Sequence, residues 1–230
     1  MDERKALASI LDQLSIEFTD LQIERIVSYL DLLQKWNATY NLSAIRNRAD
    51  MFEKHVIDSL IILPLLKREL NAKESFIDVG TGAGLPAFFV ALFNPTINVT
   101  ALDSAGKKIR FLQHVVRTLQ IDNLHPQHER LENLTEKFAH IASRAFADLE
   151  SFLGGTEHLS FSESTWWAMK GPRVFAELEQ AGFNPIDEGS PTSWLRDATK
   201  TGRLALRAHC HKLALPGSND CRYLVRVLRG

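Results

Sequence analysis

Ser75-Phe76-Ile77-Asp78-Val79-Gly80-Thr81-Gly82-Ala83-Gly84-Leu85-Pro86 is the stretch on which the reading of this chain turns. Five mostly apolar residues run straight into glycines at every second position, the pattern of a buried strand that ends in a tight turn. A turn without Cβ atoms lets backbone approach a ligand closely, and a helix that starts just beyond offers its N-terminus.

Toward the C-terminus the alternation continues. Residues 85–93 suit a helix, Ile97 to Leu102 a second strand ending at Asp103, and Lys107 to Leu119 an amphipathic helix with Ile109, Leu112, Val115 and Val116 inward. Phe138 to Ser143 reads as a strand, Phe146 to Leu153 as a helix start, and Trp166 to Met169 as a strand stopping at Lys170-Gly171-Pro172. Such β-α alternation predicts a mostly parallel sheet. Gly182 to Asp187, Leu204 to Leu215 and Tyr223 to Leu228 look strand-like, with a turn over Pro216 to Asp220, and predict an antiparallel edge.

Toward the N-terminus the period changes. Leu7, Ile10, Leu11 and Leu14, then Ile23, Ile26, Val27, Leu30 and Leu33, recur at helical intervals, with Thr19 and Asp20 as caps for the second helix. A third helix carries Met51, His55, Ile57, Leu60 and Ile61 and should end near Pro64 to Lys67. We therefore expect a helical extension over residues 1–70 and an α/β domain over 71–230.

The 230 residues balance 27 Lys plus Arg against 28 Asp plus Glu, and 45% are hydrophobic. That composition excludes a disordered chain and a uniformly basic nucleic-acid module, so any RNA contact must come from a local patch. No long apolar run or leader pattern is evident, which predicts a cytosolic protein. Cys210 and Cys221 are too few for a disulfide framework. With His209 and His211 they lack a CxxC pair, and the two histidines fall on one strand face, so no metal site is expected.

Asp103, at the end of the second predicted strand, stands where a carboxylate accepts hydrogen bonds from both hydroxyls of a ribose. A dinucleotide fingerprint, GxGxxG, would need its third glycine at position 85, which is Leu85; the spacing here is GxGxG. Together with Asp78 before the loop, this favours a methyltransferase using S-adenosylmethionine over an NAD enzyme. A methyltransferase for a small molecule or a protein, and a nucleotide-binding module without transfer activity, share these features.

Several separated blocks carry a more specific resemblance: Lys35-Trp-Asn-Ala-Thr-Tyr-Asn-Leu-Ser-Ala-Ile-Arg46, Lys54-His-Val-Ile-Asp-Ser-Leu60, Phe76 to Pro86, Leu102 to Leu112, Ser143-Arg-Ala-Phe-Ala147, Ala168-Met-Lys-Gly171 and Leu213 to Val227. The chain resembles, over nearly its whole length, the RsmG/GidB family of bacterial 16S ribosomal RNA guanine-N7 methyltransferases. The resemblance implies a class I methyltransferase fold, Rossmann-like and α/β, behind an N-terminal helical extension. It implies S-adenosylmethionine as cofactor, 16S ribosomal RNA within the 30S subunit as partner, and a guanine of the 530 loop (position 527) as target.

Carried over by motif, the resemblance implies that Gly80, Gly82, Gly84 and Leu85 form the cofactor loop, with Gly80 and Leu85 on the methionine side. It places Asp103 on the ribose and Leu131 and Glu132 about the adenine. Arg144 holds the remaining cofactor-site position, where an RNA phosphate could also reach. The chain departs from the family at Ala87, Phe88 and Phe89, where smaller residues are usual, and over residues 188–203, which match no family pattern.

Guanine N7 offers an in-plane lone pair and no proton, so no catalytic acid or base is expected. His55, among apolar neighbours, reads as a structural histidine. Trp166 and Trp167 are expected to put at least one ring in the core. RNA contacts are expected among Arg46, Arg48, Lys54, Lys107, Lys108, Arg110, Lys170 and Arg173.

Overall fold

The computed structural model describes residues 2–144, 147–187, 190–201, 204–217 and 220–230. Helix α1 (Glu3–Gln13) is capped by Asp2. Helix α2 (Asp20–Tyr40) opens on a reciprocal capping box between Thr19 and Gln22 and ends at Asn41 in the left-handed conformation. The third helical stretch is less regular than its sequence suggests. Helix α3 (Arg48–Met51) passes into a π-helical turn (Phe52–Ile57) and then α4 (Asp58–Leu60). Pro64 does not end this stretch. It lies in the first turn of a separate helix, α5 (Leu63–Glu69), where its missing N–H costs no hydrogen bond.

The glycine-rich stretch follows strand β1 (Ser75–Val79) and leads into α6 (Ala87–Phe93). Then come β2 (Asn98–Asp103), α7 (Gly106–Leu119), β3 (Leu124–His128), β4 (Phe138–Arg144), α8 (Leu149–Thr156), β5 (Ser160–Lys170) and α9 (Val174–Gln180). The chain closes with β6 (Asn184–Asp187), β7 (Ser190–Arg196), α10 (Ala198–Thr201), β8 (Leu206–Ala214) and β9 (Cys221–Arg229). The described strands join one sheet in the order β3-β2-β1-β4-β5-β9-β8-β7-β6. Strands β3 to β5 in that order run parallel and the remaining pairs antiparallel.

The expected antiparallel edge is therefore present, and longer than expected. Strand β7 comes from a stretch whose role the sequence left open. Strand β3 is hidden in the sequence because Leu-His-Pro-Gln-His has no apolar alternation; Pro126 is tolerated there because the strand is an edge. Residues 145 and 146 of the Ser-Arg-Ala-Phe-Ala block lie outside the described residues, as do 188, 189, 202, 203, 218 and 219.

Alternation along the strands sends side chains to two cores. Phe76, Val99, Ala101, Ala142, Trp167 and Leu224 face α1, α2, α6 and α7, while Ile77, Leu102, Ile141, Trp166 and Val225 face α8 and α9. The first core crosses residue 70, so the N-terminal helices pack directly on the sheet. Both tryptophans are core residues. Trp166 Nε1 donates to Thr156 Oγ1 at 3.0 Å and Trp167 Nε1 to His140 Nδ1 at 3.2 Å. Because indole only donates, His140 carries its proton on Nε2 and gives it to Glu74, 2.8 Å away. Arg222 Nε to Asp58 and Arg226 Nη2 to Glu69, at 2.8 and 2.6 Å, tie β9 to the N-terminal helices.

Candidate methyl-donor site

Two carboxylates at the carboxyl ends of neighbouring strands shape the glycine loop. From β1, Asp78 Oδ2 accepts hydrogen bonds from Thr81 Oγ1 at 2.6 Å and Ala87 N at 3.2 Å. From β2, Asp103 Oδ2 accepts from Gly82 N at 3.0 Å and Lys108 Nζ at 3.1 Å, and Oδ1 from Ala105 N at 2.8 Å. A loop held this way is preorganised, since its amides are already aimed before any ligand arrives.

The glycines serve different ends. Gly82 takes φ +63°, which lets its N–H reach Asp103. Gly84 takes φ +92°, and a Cβ there would fall 2.2 Å from Leu112 Cδ2, so Gly84 is required by the packing of the loop on α7.

A cleft of about 500 Å³ opens beside the loop, a size that suits a cofactor. Gly80, Asp103, Leu131 and Glu132 line it, with Ser104, Lys108, Glu129 and Arg130 as its further polar residues. Four of the eight expected cofactor residues are thus brought together. Gly82 reaches the cleft through its bond to Asp103. Gly84 faces α7, and Leu85 is 1% exposed within the first core.

Arg144 lies apart from these. It lines a second cleft of about 160 Å³ with Asp58, Lys170, Arg222 and Tyr223, and its Nη1 donates to the Lys54 carbonyl of the π-helical turn at 3.2 Å. Ser59 Oγ stands 3.5 Å from the same nitrogen.

Two buried polar atoms near the carboxyl edge of the sheet, Asp78 Oδ1 and Ser143 Oγ, have no hydrogen-bond partner among the described residues. Register sets Asp78 beside Ala142, hence Val79 beside Ser143, at the same carboxyl edge. A wholly buried carboxylate oxygen without a donor fits a cationic ligand group. Burial pushes the Asp78 carboxyl up to about 6, against the opposing hydrogen bonds of Thr81 and Ala87. His55 Nδ1 also lacks a partner among the described residues, while Nε2 meets Ser43 Oγ at 3.0 Å. Burial, aided by Arg144, lowers His55 to about 4, so it is a neutral imidazole near pH 7.

The residues expected to meet RNA divide. Arg48 is held by Glu3 and Asp31 at 2.7 and 2.6 Å, Lys170 by Glu177 at 2.7 Å, and Lys108 by Asp103 inside the cleft. Arg46, Lys54, Lys107, Arg110 and Arg173 remain exposed. Sequence reasoning missed Tyr29, whose hydroxyl donates to the Ala83 carbonyl of the glycine loop. A phenol within the apolar stripe Ile26, Leu30 and Leu33 must find a buried acceptor, and that was the signal available.

The family model described as GidB, rRNA small subunit methyltransferase G, matches residues 22–196. The chain belongs to the rRNA small subunit methyltransferase G family. It is 42% identical over 168 residues to the ribosomal RNA small subunit methyltransferase G of Pseudomonas entomophila, covering 72% of this chain and 76% of that one. To the protein of the same name from Saccharophagus degradans it is 44% identical over 170 residues, covering 72% and 74%. Among solved structures, an S-adenosylmethionine-dependent methyltransferase from Aquifex aeolicus superposes with TM-score 0.51 at 14% identity, over 78% of this chain and 93% of that one. Precorrin-6y C5,15-methyltransferase from Geobacter metallireducens gives 0.50 at 12% identity, over 74% and 88%. These likenesses identify the class I methyltransferase fold. Like its family, the chain is an S-adenosylmethionine-dependent methyltransferase.

Proposed function

We propose that the chain methylates N7 of a guanine in the 530 loop of 16S ribosomal RNA, presented by the 30S subunit in the cytoplasm. Residues 1–70 serve as the helical extension and 71–230 as the catalytic domain. The observation that carries this reading is the family match over residues 22–196, joined to relatives named for the small-subunit ribosomal RNA. No helix among the described residues is long and apolar enough to cross a membrane.

In this reading Asp103 holds the donor's ribose, Leu131 and Glu132 flank its adenine, and Gly80 and the loop amides border its methionine end. Asp78 Oδ1 supplies an acceptor for the ammonium group. The donor supplies an electrophilic methyl on a sulfonium. The guanine N7 lone pair forms the new C–N bond as the S–C bond breaks, no proton moves, and positive charge passes to the purine. The protein's part is therefore alignment and electrostatics. Arg144 lines the second cleft rather than the first, which supports a role on the acceptor side.

The test is tritium transfer from labelled S-adenosylmethionine to 30S subunits lacking the modification, followed by nucleoside chromatography and mass analysis. Label in N7-methylguanosine from 16S RNA is expected. Label in another nucleoside, in protein or nowhere would overturn the proposal.

A further inference from the structure

We propose that Tyr40 and the cationic face of α7 beside it form a stacking and phosphate-binding surface for unpaired RNA at the rim of the donor cleft. The inference rests on the ribosomal RNA reading above.

Tyr40 ends α2 and remains 47% exposed. Its ring packs on Trp36 with centroids 5.1 Å apart, and Trp36 packs on Phe111 and His114 of α7 at 5.7 and 5.5 Å. The tyrosine is thus backed by an aromatic column rooted in the catalytic domain. Lys107 Nζ donates to the Tyr40 and Asn41 carbonyls at 2.9 and 3.1 Å, where a cation also suits the helix C-terminus. Arg46 donates to Asn41 Oδ1 at 3.0 Å. A ring already held loses little rotational freedom when a base stacks on it.

The two segments that carry it hold charges of one sign. Helix α7 carries Lys107, Lys108, Arg110 and Arg117 and no carboxylate, and no acidic residue lies between Asp31 and Asp50. Lys107, Arg110, His114 and Arg117 recur at three- and four-residue steps, which places them along one side of the helix, the side His114 shows to Trp36. Arg110 and Arg117 are exposed and form no ion pair with any described residue. An exposed, rigid aromatic ring among free cations is the arrangement that binds single-stranded nucleic acid, the ring taking a base and the cations its phosphates. The same helix sends Lys108 to Asp103, so the surface begins at the cleft wall.

Phe161 supplies an internal control. It is 48% exposed with Lys137 Nζ 6.0 Å from its centroid, but it lies at the start of β5, the end of the sheet opposite the cleft.

The experiment measures methyl transfer to unmodified 30S subunits as a function of subunit and salt concentration. Tyr40→Ala should raise KM for subunits about tenfold and leave kcat and S-adenosylmethionine affinity within about twofold, while Tyr40→Phe, Tyr40→Trp and Phe161→Ala keep the parent KM. Replacing Arg110 and Arg117 by Gln should flatten the salt dependence of KM by about 0.7 in logarithmic slope for each phosphate no longer neutralised. An unchanged KM for Tyr40→Ala, or a Tyr40→Phe as weak as Tyr40→Ala, overturns the stacking surface. Should Tyr40→Ala fail to fold, an unaltered salt slope in the arginine variant overturns it instead. If the parent enzyme labels no subunit, the ribosomal reading falls and takes this surface with it; if the parent labels subunits and the variants match it, this surface alone falls.

Discussion

The Tyr29 hydroxyl, fully buried within α2, donates a 2.8 Å hydrogen bond to the Ala83 carbonyl inside the glycine loop. Its ring stacks on Phe88 with centroids 4.4 Å apart, and burial pushes its phenol well above the usual tyrosine range. Phe88 and Phe89 are fully buried, and both pack on this tyrosine. The N-terminal helices thereby set the shape of the glycine loop.

Tyr29→Phe keeps the stacking and strands the Ala83 carbonyl. Leaving a buried acceptor unsatisfied costs about 1–3 kcal/mol. Denaturant unfolding should show that loss, and calorimetry a several-fold weaker affinity for S-adenosylmethionine. Unchanged affinity would separate the helix from the loop.

Gly84→Ala sets a methyl 2.2 Å from Leu112 Cδ2 and forces φ +92° on a residue with a Cβ. Overpacking and backbone strain together should cost about 1–3 kcal/mol. In the double variant with Leu112→Ala the two losses should be less than additive, because the clash disappears and only the backbone strain stays. Strict additivity in thermal unfolding would count against the close approach.

Asp103→Ala removes the acceptor expected for the ribose and also frees Gly82 N and Lys108 Nζ. Charge-assisted hydrogen bonds contribute about 1.5–3 kcal/mol, so calorimetric affinity for S-adenosylmethionine should fall roughly 10- to 100-fold. Asp103→Asn, which keeps one carbonyl acceptor, should fall between. A parent-like affinity in Asp103→Ala would remove this residue from the site.

His55 and Asp78 should make opposite contributions to acid stability. His55 titrates near 4 when folded against 6.5 when free, so between these values only the unfolded chain takes the proton and stability falls as pH drops. Asp78 titrates near 6 when folded against 3.8, so the folded chain takes the proton first and stability rises as pH drops through that window. Each contribution is of order 3 kcal/mol, and the two largely offset. Relative to the parent, His55→Gln should therefore gain stability between pH 6.5 and 4, and Asp78→Asn should lose it between pH 6 and 4. Urea unfolding across pH reads both; differences that do not vary with pH would refute the assignment.

Arg196 anchors strand β7. Its side chain is 4% exposed, bonds Glu150 at 2.8 Å and the Leu204 carbonyl at 3.1 Å, and lies 5.2 Å from the centre of Phe183. Arg196→Ala should cost about 3 kcal/mol by stranding these groups, while Arg196→Met, which keeps the packing, should cost less. Equal losses in thermal unfolding would show that charge alone matters there.

Local chemistry sufficed to read the strand–glycine–helix turn, the second strand ending at Asp103, the capping of α2 by Thr19, and the family. Each of these depends on neighbours along the chain, such as a run of apolar residues, a φ that glycine favours, or a capping oxygen three residues from its amide. Gly80 and Asp103 were legible for the same reason, since strand ends and the turns after them converge on one sheet edge, whereas Leu131 and Glu132 came only from the family resemblance, because β3 before them has no apolar alternation. Folding in three dimensions decided the rest. Gly84 answers to Leu112, Tyr29 to Ala83, and Arg144 to the Lys54 carbonyl, in each case a partner remote in sequence. Which lysines and arginines stay free was likewise invisible, because Arg48, Lys108 and Lys170 read the same as Arg110 and Arg117 until their carboxylate partners arrive. Propensity and period are properties of a segment; satisfied buried groups and paired charges are properties of a packed molecule.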